Sequence, residues 1–458
     1  MPKTRPATLP EFRILSTTAI LGYGFPETSF RRGLKKRPHL IAADAGSTDP
    51  GPHYLGSGHS FTSREAVKRE LRLMIKAGVE NRIPVVVGTA GGSGARPHVE
   101  WCAEIVREIA REEKLHFRVG FAYADVDKKT VLEAIARHRI QPFPFGPELT
   151  AKTVKETGDI VAQMGVEPFI KLLDRKVDVV IAGRSYDPAV FAALPISLGY
   201  DPGLAIHMGK VLECAAIAAT PGSGSDCAFG TLKADSFILE ALSPDRKFTP
   251  KSAAAHTLYE KSDPVHLPGP GGAIDLSGCS FTDIGRGRVE VRGSRFVPTE
   301  KYWIKLEGTR LAGYRAVSIA GVRDPIMIKG IDAILKAVQE RVRTIRGKDA
   351  ANGRMIFHVY GKNAVMEEIE PVKETKSHEL GILMEAIGRT QEEADSILSL
   401  TRSTLLHYGY PGRIATAGNL AFPFSPSDVA MGKVFEFSIY HLMQIDDPAM
   451  FKTEVVRL

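Results

Sequence analysis

The sequence predicts an α/β protein: a doubly wound, mostly parallel, Rossmann-like sheet followed by a second α+β domain. Two patterns carry this expectation. Between about residues 12 and 230, short β-branched runs alternate with longer stretches of helical periodicity, as in a parallel sheet with helices on its faces. From 231 the texture becomes loop-rich around Pro264, Pro268, Gly269, Pro270, Gly271 and Gly272, then turns to alternating strands. The expected domains are therefore 1–230, carrying the active site, and 231–458. A chain of 458 residues, 43% hydrophobic and 25% charged, buries a large core without staples.

Taken in order, the expected strands are residues 14–21, 40–43, 85–87, 118–123 and 177–182. Between the second and third, Thr62 and Glu65 have capping-box spacing, and Val67, Leu71, Met74 and Ile75 follow at helical intervals, with Gly78 as the expected stop. A second helix starts at Pro97. Its stripe of Trp101, Cys102, Ile105, Val106 and Ile109 faces the core, while Glu104, Arg107, Arg111 and Glu112 face water. Further on, strands are expected at 288–292, 302–306, 355–360 and 434–440, and helices at 325–343 and 379–400.

Composition excludes several classes. Cys102, Cys214, Cys227 and Cys279 lie far apart, without CxxC or zinc-finger spacing, so neither a disulfide scaffold nor a structural zinc is expected. No run of 18 apolar residues occurs, and the basic start lacks a small-residue cleavage site, so a soluble cytoplasmic protein is expected. A net charge of +7 without a long Lys/Arg block is too thin for nucleic acid; small acidic molecules are the expected partners. A homo-oligomer is the expectation for a soluble enzyme.

Ligands of open α/β sheets sit at the carboxyl ends of strands, where loops converge and helix N-termini point at them. Four such loops carry polar or glycine-rich chemistry: 44–53, 88–96, 125–127 and 183–188. In the first, Asp44 and Asp49 can form an acid/base pair or hold a divalent cation through oxygen, with Ser47 and Thr48 between them; a plain turn before Pro50 is the alternative. His53 and His59 are nearby but are more often solvated. In the second, Gly91, Gly92, Ser93 and Gly94 lead into a helix and read as an anion cradle or as a simple flexible turn. No nicotinamide or ATP motif is present: Pro97 stands where a third glycine of GxGxxG belongs, and no GxxxxGK[ST] occurs. In the last, Arg184 can clamp a carboxylate or close the turn on Asp187. Ser185 sits in a frame like a nucleophile elbow, but Asp187 replaces its final glycine. Downstream, His207, Glu213, His256, Tyr259, Asp263 and His266 could supply acid/base groups, with Glu213 equally readable as buried and catalytic or as an edge residue.

The segments Asp44-Ala-Gly-Ser-Thr-Asp-Pro-Gly-Pro52, Gly183-Arg-x-x-Asp187, His256-Thr-Leu-Tyr-Glu-x-Ser-Asp-Pro264 and Gly293-Ser-Arg-Phe-Val-Pro298 together resemble the acyclic terpene utilisation family of AtuA type, over roughly residues 14–440. Residues 418–428 also look familial and are expected at a domain junction or over the site. The resemblance implies a setting of organic-acid or acyl-CoA catabolism and a small companion subunit. The glycine-rich loop departs from the version associated with terpenoid members, which puts a terpenoid substrate in doubt. The resulting expectation is a lyase of the hydratase/dehydratase kind: Asp44, Asp49, Asp187 and His256 move protons, while Arg184 and the 88–96 loop hold the acidic substrate. The other readings are a metabolite-binding subunit that acts only with its companion, and a metal-dependent amide or ester hydrolase.

Overall fold

Runs such as Leu40–Asp44, Val85–Gly88 and Val179–Ala182 are buried at every position, which only a sheet covered on both faces allows. The computed structural model describes residues 10–48, 50–144 and 146–458. Its elements run β1 (Phe12–Ser16), α1 (Glu27–Lys35), β2 (Leu40–Asp44), α2 (His53–Ser57), α3 (Arg64–Asn81), β3 (Val85–Gly88), α4 (Arg96–Glu113), β4 (Arg118–Ala122), α5 (Lys128–Ala136), β5 (Ile140–Pro142), α6 (Ala151–Glu156), β6 (Ile160–Ala162), α7 (Glu167–Leu173), β7 (Val179–Ala182), α8 (Asp187–Ser197) and α9 (Pro202–Leu212). Then come β8 (Ala228–Leu232), β9 (Ser236–Ala241), α10 (Pro250–Thr257), β10 (His266–Gly269), β11 (Gly272–Asp275), β12 (Ser280–Asp283), β13 (Arg288–Arg292), β14 (Arg295–Pro298) and β15 (Tyr302–Val322). The last are α11 (Pro325–Lys329), α12 (Ile331–Arg346), β16 (Arg354–Tyr360), β17 (Leu380–Gly388), α13 (Gln391–Leu406), β18 (Asp428–Ile445) and β19 (Thr453–Arg457).

The protein is mixed α/β. Its ten-stranded sheet has the order β12-β13-β9-β8-β1-β2-β3-β7-β4-β19. Strands β1, β2, β3, β7 and β4 pair in parallel, whereas β8, β9, β13, β12 and β19 all pair antiparallel. The sheet is thus mixed rather than mostly parallel. Alternating side chains feed two cores. Leu15, Ile41, Val85 and Val179 meet the stripes of α3 and α4, including Leu71, Met74, Cys102 and Ile105; Ile14, Leu40, Val86 and Val180 meet Phe169, Phe191, Met208 and Leu212 from α7, α8 and α9. Each large side chain so buried stabilises the fold by roughly 1.5–3 kcal/mol.

The chain forms two units, one ending at Arg310 and taking in Phe437–Leu458, the other Leu311–Glu436. This differs from the expected boundary at 230/231. The reason is that β8 pairs with β1 and carries β9, β13 and β12 onto the first sheet, while β19 returns to pair with β4. In the second unit, residues 314–322 of β15, with β17 and β16, make an antiparallel sheet whose core includes Ile331, Leu335 and Val338 of α12 and Ile397 and Leu398 of α13.

Other expectations shift locally. β1 ends at Ser16, because the chain turns off so that Thr18 Oγ1 can donate to the Gly224 carbonyl (3.0 Å). The capping box at Thr62 does not form: Ser63 is the N-cap, without a side-chain cap, and Thr62 Oγ1 pairs with Ser60 Oγ (3.1 Å). Helix α3 runs past Gly78, whose role is close packing, since a Cβ there would lie 2.8 Å from the Ile83 carbonyl. The segment expected as one helix at 379–400 is β17 followed by α13; Leu380, Ile382, Met384 and Ala386 alternate into the core with period two. The 325–343 helix divides at Gly330. Residues 418–428 belong to the second unit, where Ala421 and Gly321 exchange backbone hydrogen bonds.

Candidate active site

Insertion of β7 between β3 and β4 sets the loops after β2, β3 and β7 side by side. Backbone bonds lock them together: Ala45 N–H donates to the Gly88 carbonyl (2.9 Å), Ser47 N–H to Gly92 (3.2 Å), Thr89 N–H to Gly183 (3.0 Å) and Arg184 N–H to Gly94 (3.0 Å). Glycine is required at 94, where φ is +66° and a Cβ would stand 2.1 Å from the Arg184 nitrogen. A small pocket opens among these loops, lined by Ser47, Thr48, Gly51, Leu55, Gly92, Ser93, Arg184, Glu307 and Phe437. It gathers most of the residues expected to bind substrate. Asp49 lies outside the described residues.

Asp44, at the end of β2, is 3% exposed. One oxygen accepts from the Gly46 N–H at 3.2 Å; the other has no hydrogen-bond partner among the described residues. Burial, followed by the repulsion of Asp187, pushes its carboxyl well above the usual range, against the pull of Arg184. Glu213 follows α9, buried, with one oxygen 2.5 Å from the Lys210 ammonium and the other unpartnered among the described residues. Burial raises its carboxyl too, opposed by Lys210 and helped by Asp187. His256 stacks on Tyr259 (5.2 Å, 9°), and burial next to Lys210 lowers it to about 4, so it is neutral at pH 7. Its Nε2 is buried without a partner among the described residues.

Arg184 is buried and committed. Its Nε and Nη2 donate to Glu307 (3.0 and 3.3 Å), and its Nη1 donates to Asp187 (3.2 Å) and to the Ser185 carbonyl (3.1 Å). Glu307 is also 3.0 Å from the Lys305 ammonium, which hydrogen-bonds Tyr440. The expected clamp for a substrate carboxylate is therefore a positioning residue that fixes Asp187 at the start of α8. The glycine loop is likewise partly spent. Gly92 and Gly94 N–H groups bond back to the Thr89 and Ala90 carbonyls, and the N-terminus of α4 already carries an anion, as Arg96 N–H donates to Asp125 (3.0 Å). Gly91, with φ +64°, packs its α-carbon toward His98. The Ser185 hydroxyl donates to the Gly183 carbonyl (2.7 Å) and is no free nucleophile.

Other candidates lie apart from these contacts. His207 bonds Ser294 (2.6 Å) and Thr257 (2.8 Å) in a buried network, and Asp263 meets His266 at the surface (3.8 Å). Among the described residues, no group of three or more His, Cys, Asp or Glu is arranged to hold a metal ion, and no helix is long and apolar enough to cross a membrane. Sequence reasoning missed Lys210, Lys305 and Glu307. The available signals were Lys210 one helical turn before Glu213, and the opposite charges Lys305 and Glu307 two positions apart, on one face of their strand.

A mixed α/β fold with a buried, raised carboxyl at a strand end, Asp44, and a second one, Glu213, after a helix defines the class to which the chain is to be compared. A profile described as "Acyclic terpene utilisation family protein AtuA" matches residues 60–228 and 236–425. The chain belongs to that family. No curated protein and no solved structure matches it.

Proposed function

We propose that the chain is an acid–base enzyme, a hydro-lyase that removes water from, or adds it to, a small acidic substrate or its thioester. The observation that carries this reading is Asp44: a desolvated carboxyl raised well above the usual range, with one oxygen unpartnered among the described residues, that feels the charge of a second raised carboxyl, Glu213. Two carboxyls in different environments supply an acid and a base at one pH. In dehydration, Glu213 takes the proton α to the carbonyl, the Cα–H pair becomes the C=C bond, and Asp44 protonates the departing hydroxyl, which leaves as water. Asp187, held by Arg184, keeps Asp44 protonated through its charge and is the positioning carboxylate. Thr48 and Ser93, in the lining of the pocket, offer hydroxyls to the substrate's oxygens.

The test is a panel of hydroxy-acids, their unsaturated partners and the corresponding CoA thioesters, followed by ultraviolet absorbance of the conjugated product. Turnover that falls at least a hundredfold in both Asp44→Asn and Glu213→Gln is expected. Turnover that survives both changes would remove these carboxyls from the reaction.

A further inference from the structure

Strand β16 is the outer strand of the second unit's sheet, paired with β17 on one side only. It runs from Arg354 to Tyr360 without proline or glycine, and its register is continuous from Arg354 opposite Ile387 to Tyr360 opposite Gly381, with no bulge. An open edge of this kind is a template for another strand, which soluble proteins ordinarily blunt with charge, proline or a bulge. Here Arg354, at the very end, is the one Lys, Arg, Asp or Glu in the strand.

Its backbone shows which groups are free. In an antiparallel strand the N–H and C=O of one residue point to the same side, and successive residues alternate. The carbonyls of Met355 and Val359 are engaged away from β17, the first by Gln339 Nε2 (3.4 Å), the second by the turn N–H groups of Lys362, Asn363 and Ala364 (3.1–3.3 Å). Phe357, between them, therefore turns its N–H and C=O outward, and neither has a partner among the described residues. The side chains agree. Met355 and Phe357 pack on the core formed with α12 and α13 yet stay only partly buried. Tyr360 is 52% exposed, and just beyond it Val365 and Ile369 are 84% and 76% exposed, apolar surface of the kind that meets another protein.

We propose that β16 pairs with β16 of a second copy of this chain, antiparallel about a two-fold axis at Phe357, so that the two sheets become one. A two-fold contact needs a surface complementary to itself, and this strand is one. In this register the two Phe357 residues exchange both backbone bonds, and Met355 falls opposite the partner's Val359, which carries the apolar core from one copy to the other. On the opposite face, Ile356 meets the partner's His358; within its own chain His358 is held by Glu385 (2.9 Å). Arg354 meets the partner's Tyr360, a cation beside an aromatic ring rather than beside a second Arg354. No like charges are opposed.

Sedimentation of the full-length protein at micromolar concentration should give a particle of twice the 49.9 kDa chain mass. Phe357→Pro removes the outward N–H and no bond to β17; it should fold, as circular dichroism would show, and self-associate at least about tenfold more weakly. A disulfide reads the register. Positions 354 and 360 of the two copies form a non-hydrogen-bonded pair, with α-carbons about 4.5 Å apart, within disulfide range. With oxidised glutathione as oxidant, the protein carrying both Arg354→Cys and Tyr360→Cys should form a covalent dimer on a non-reducing gel, and either change alone should not. A monomeric wild type, the result if the edge instead takes a strand from a different protein, would overturn the proposal. So would a folded Phe357→Pro protein that self-associates as tightly as wild type, or a double variant that does not crosslink. The crosslink needs no proline variant, so misfolding of Phe357→Pro does not shield the proposal.

Discussion

Replacing Glu307 by Gln removes the one carboxylate shared by the buried Arg184 and the part-buried Lys305. Glu307 and Arg184 side chains are 4% and 5% exposed, and the contacts to Arg184 and Lys305 are all 3.0–3.3 Å. Breaking such a pair from one side leaves uncompensated charge and costs about 3–5 kcal/mol. The titration gives a second route to the magnitude. Although burial pushes the carboxyl up, Arg184 and then Lys305 more than offset it and hold it at about 2, against 4.5 for the free group. That difference corresponds to about 3 kcal/mol. Because the folded pKa is depressed, this stability is fully present above pH 4.5 and is lost as pH falls toward 2. The assay is urea unfolding followed by tryptophan fluorescence, since Trp101 and Trp303 both lie in the first unit. The variant should be less stable than wild type by about 3 kcal/mol at pH 7, and the gap should narrow through pH 4 to 3. A loss under about 1 kcal/mol at pH 7, or a gap that does not change with pH, would refute the reasoning.

Asp44→Asn should abolish turnover and yet raise the melting temperature at pH 7. The native carboxyl is raised, so above pH 4 the folded protein holds a proton that the unfolded chain has lost, and stability falls with pH by up to about 1.4 kcal/mol per unit until the folded pKa is reached; melts at pH 4 and pH 7 should show the difference between variant and wild type only at the higher value. Gly94→Ala should destabilise by about 1–2 kcal/mol from the left-handed backbone alone, with more from the contact at Arg184, which thermal melts would register. Wild-type kcat should rise with pH as Glu213 loses its proton, with a midpoint above the ordinary carboxylate range; a midpoint near 4 in the pH–rate profile would assign the base elsewhere. Cys102, buried and with its thiol pushed up to about 12, should resist maleimide in the native protein, where half-buried Cys279 reacts first by mass spectrometry.

The strand-end loops were legible in the sequence because fully apolar runs such as Val85–Gly88 end abruptly in polar or glycine-rich segments, and those ends are where a parallel sheet gathers its ligands. Helix α4 was legible from its stripe, which is buried as expected at Cys102, Ile105, Val106 and Ile109. Pairing partners were not. Nothing local in Glu307 tells that its strand brings it to Arg184, 123 positions earlier, or that Arg184 is consumed by it. The antiparallel additions to the sheet escaped for the same reason: β8 and β19 are set by long-range partners, and their short segments resemble any edge strand. Residues 379–400 misled because Leu380–Gly388 is short, apolar and followed at once by a helix, so its period of two was lost in the longer pattern.

The protonation state of Asp44 tests the acid–base site most directly, and needs no knowledge of the substrate. An infrared difference spectrum between wild type and Asp44→Asn at pH 7 should contain the carbonyl stretch of a protonated carboxylic acid, persisting well above the pH at which free aspartate ionises. A difference spectrum showing only carboxylate bands at pH 7 would mean that Asp44 is ionised in the folded protein and has no proton to give.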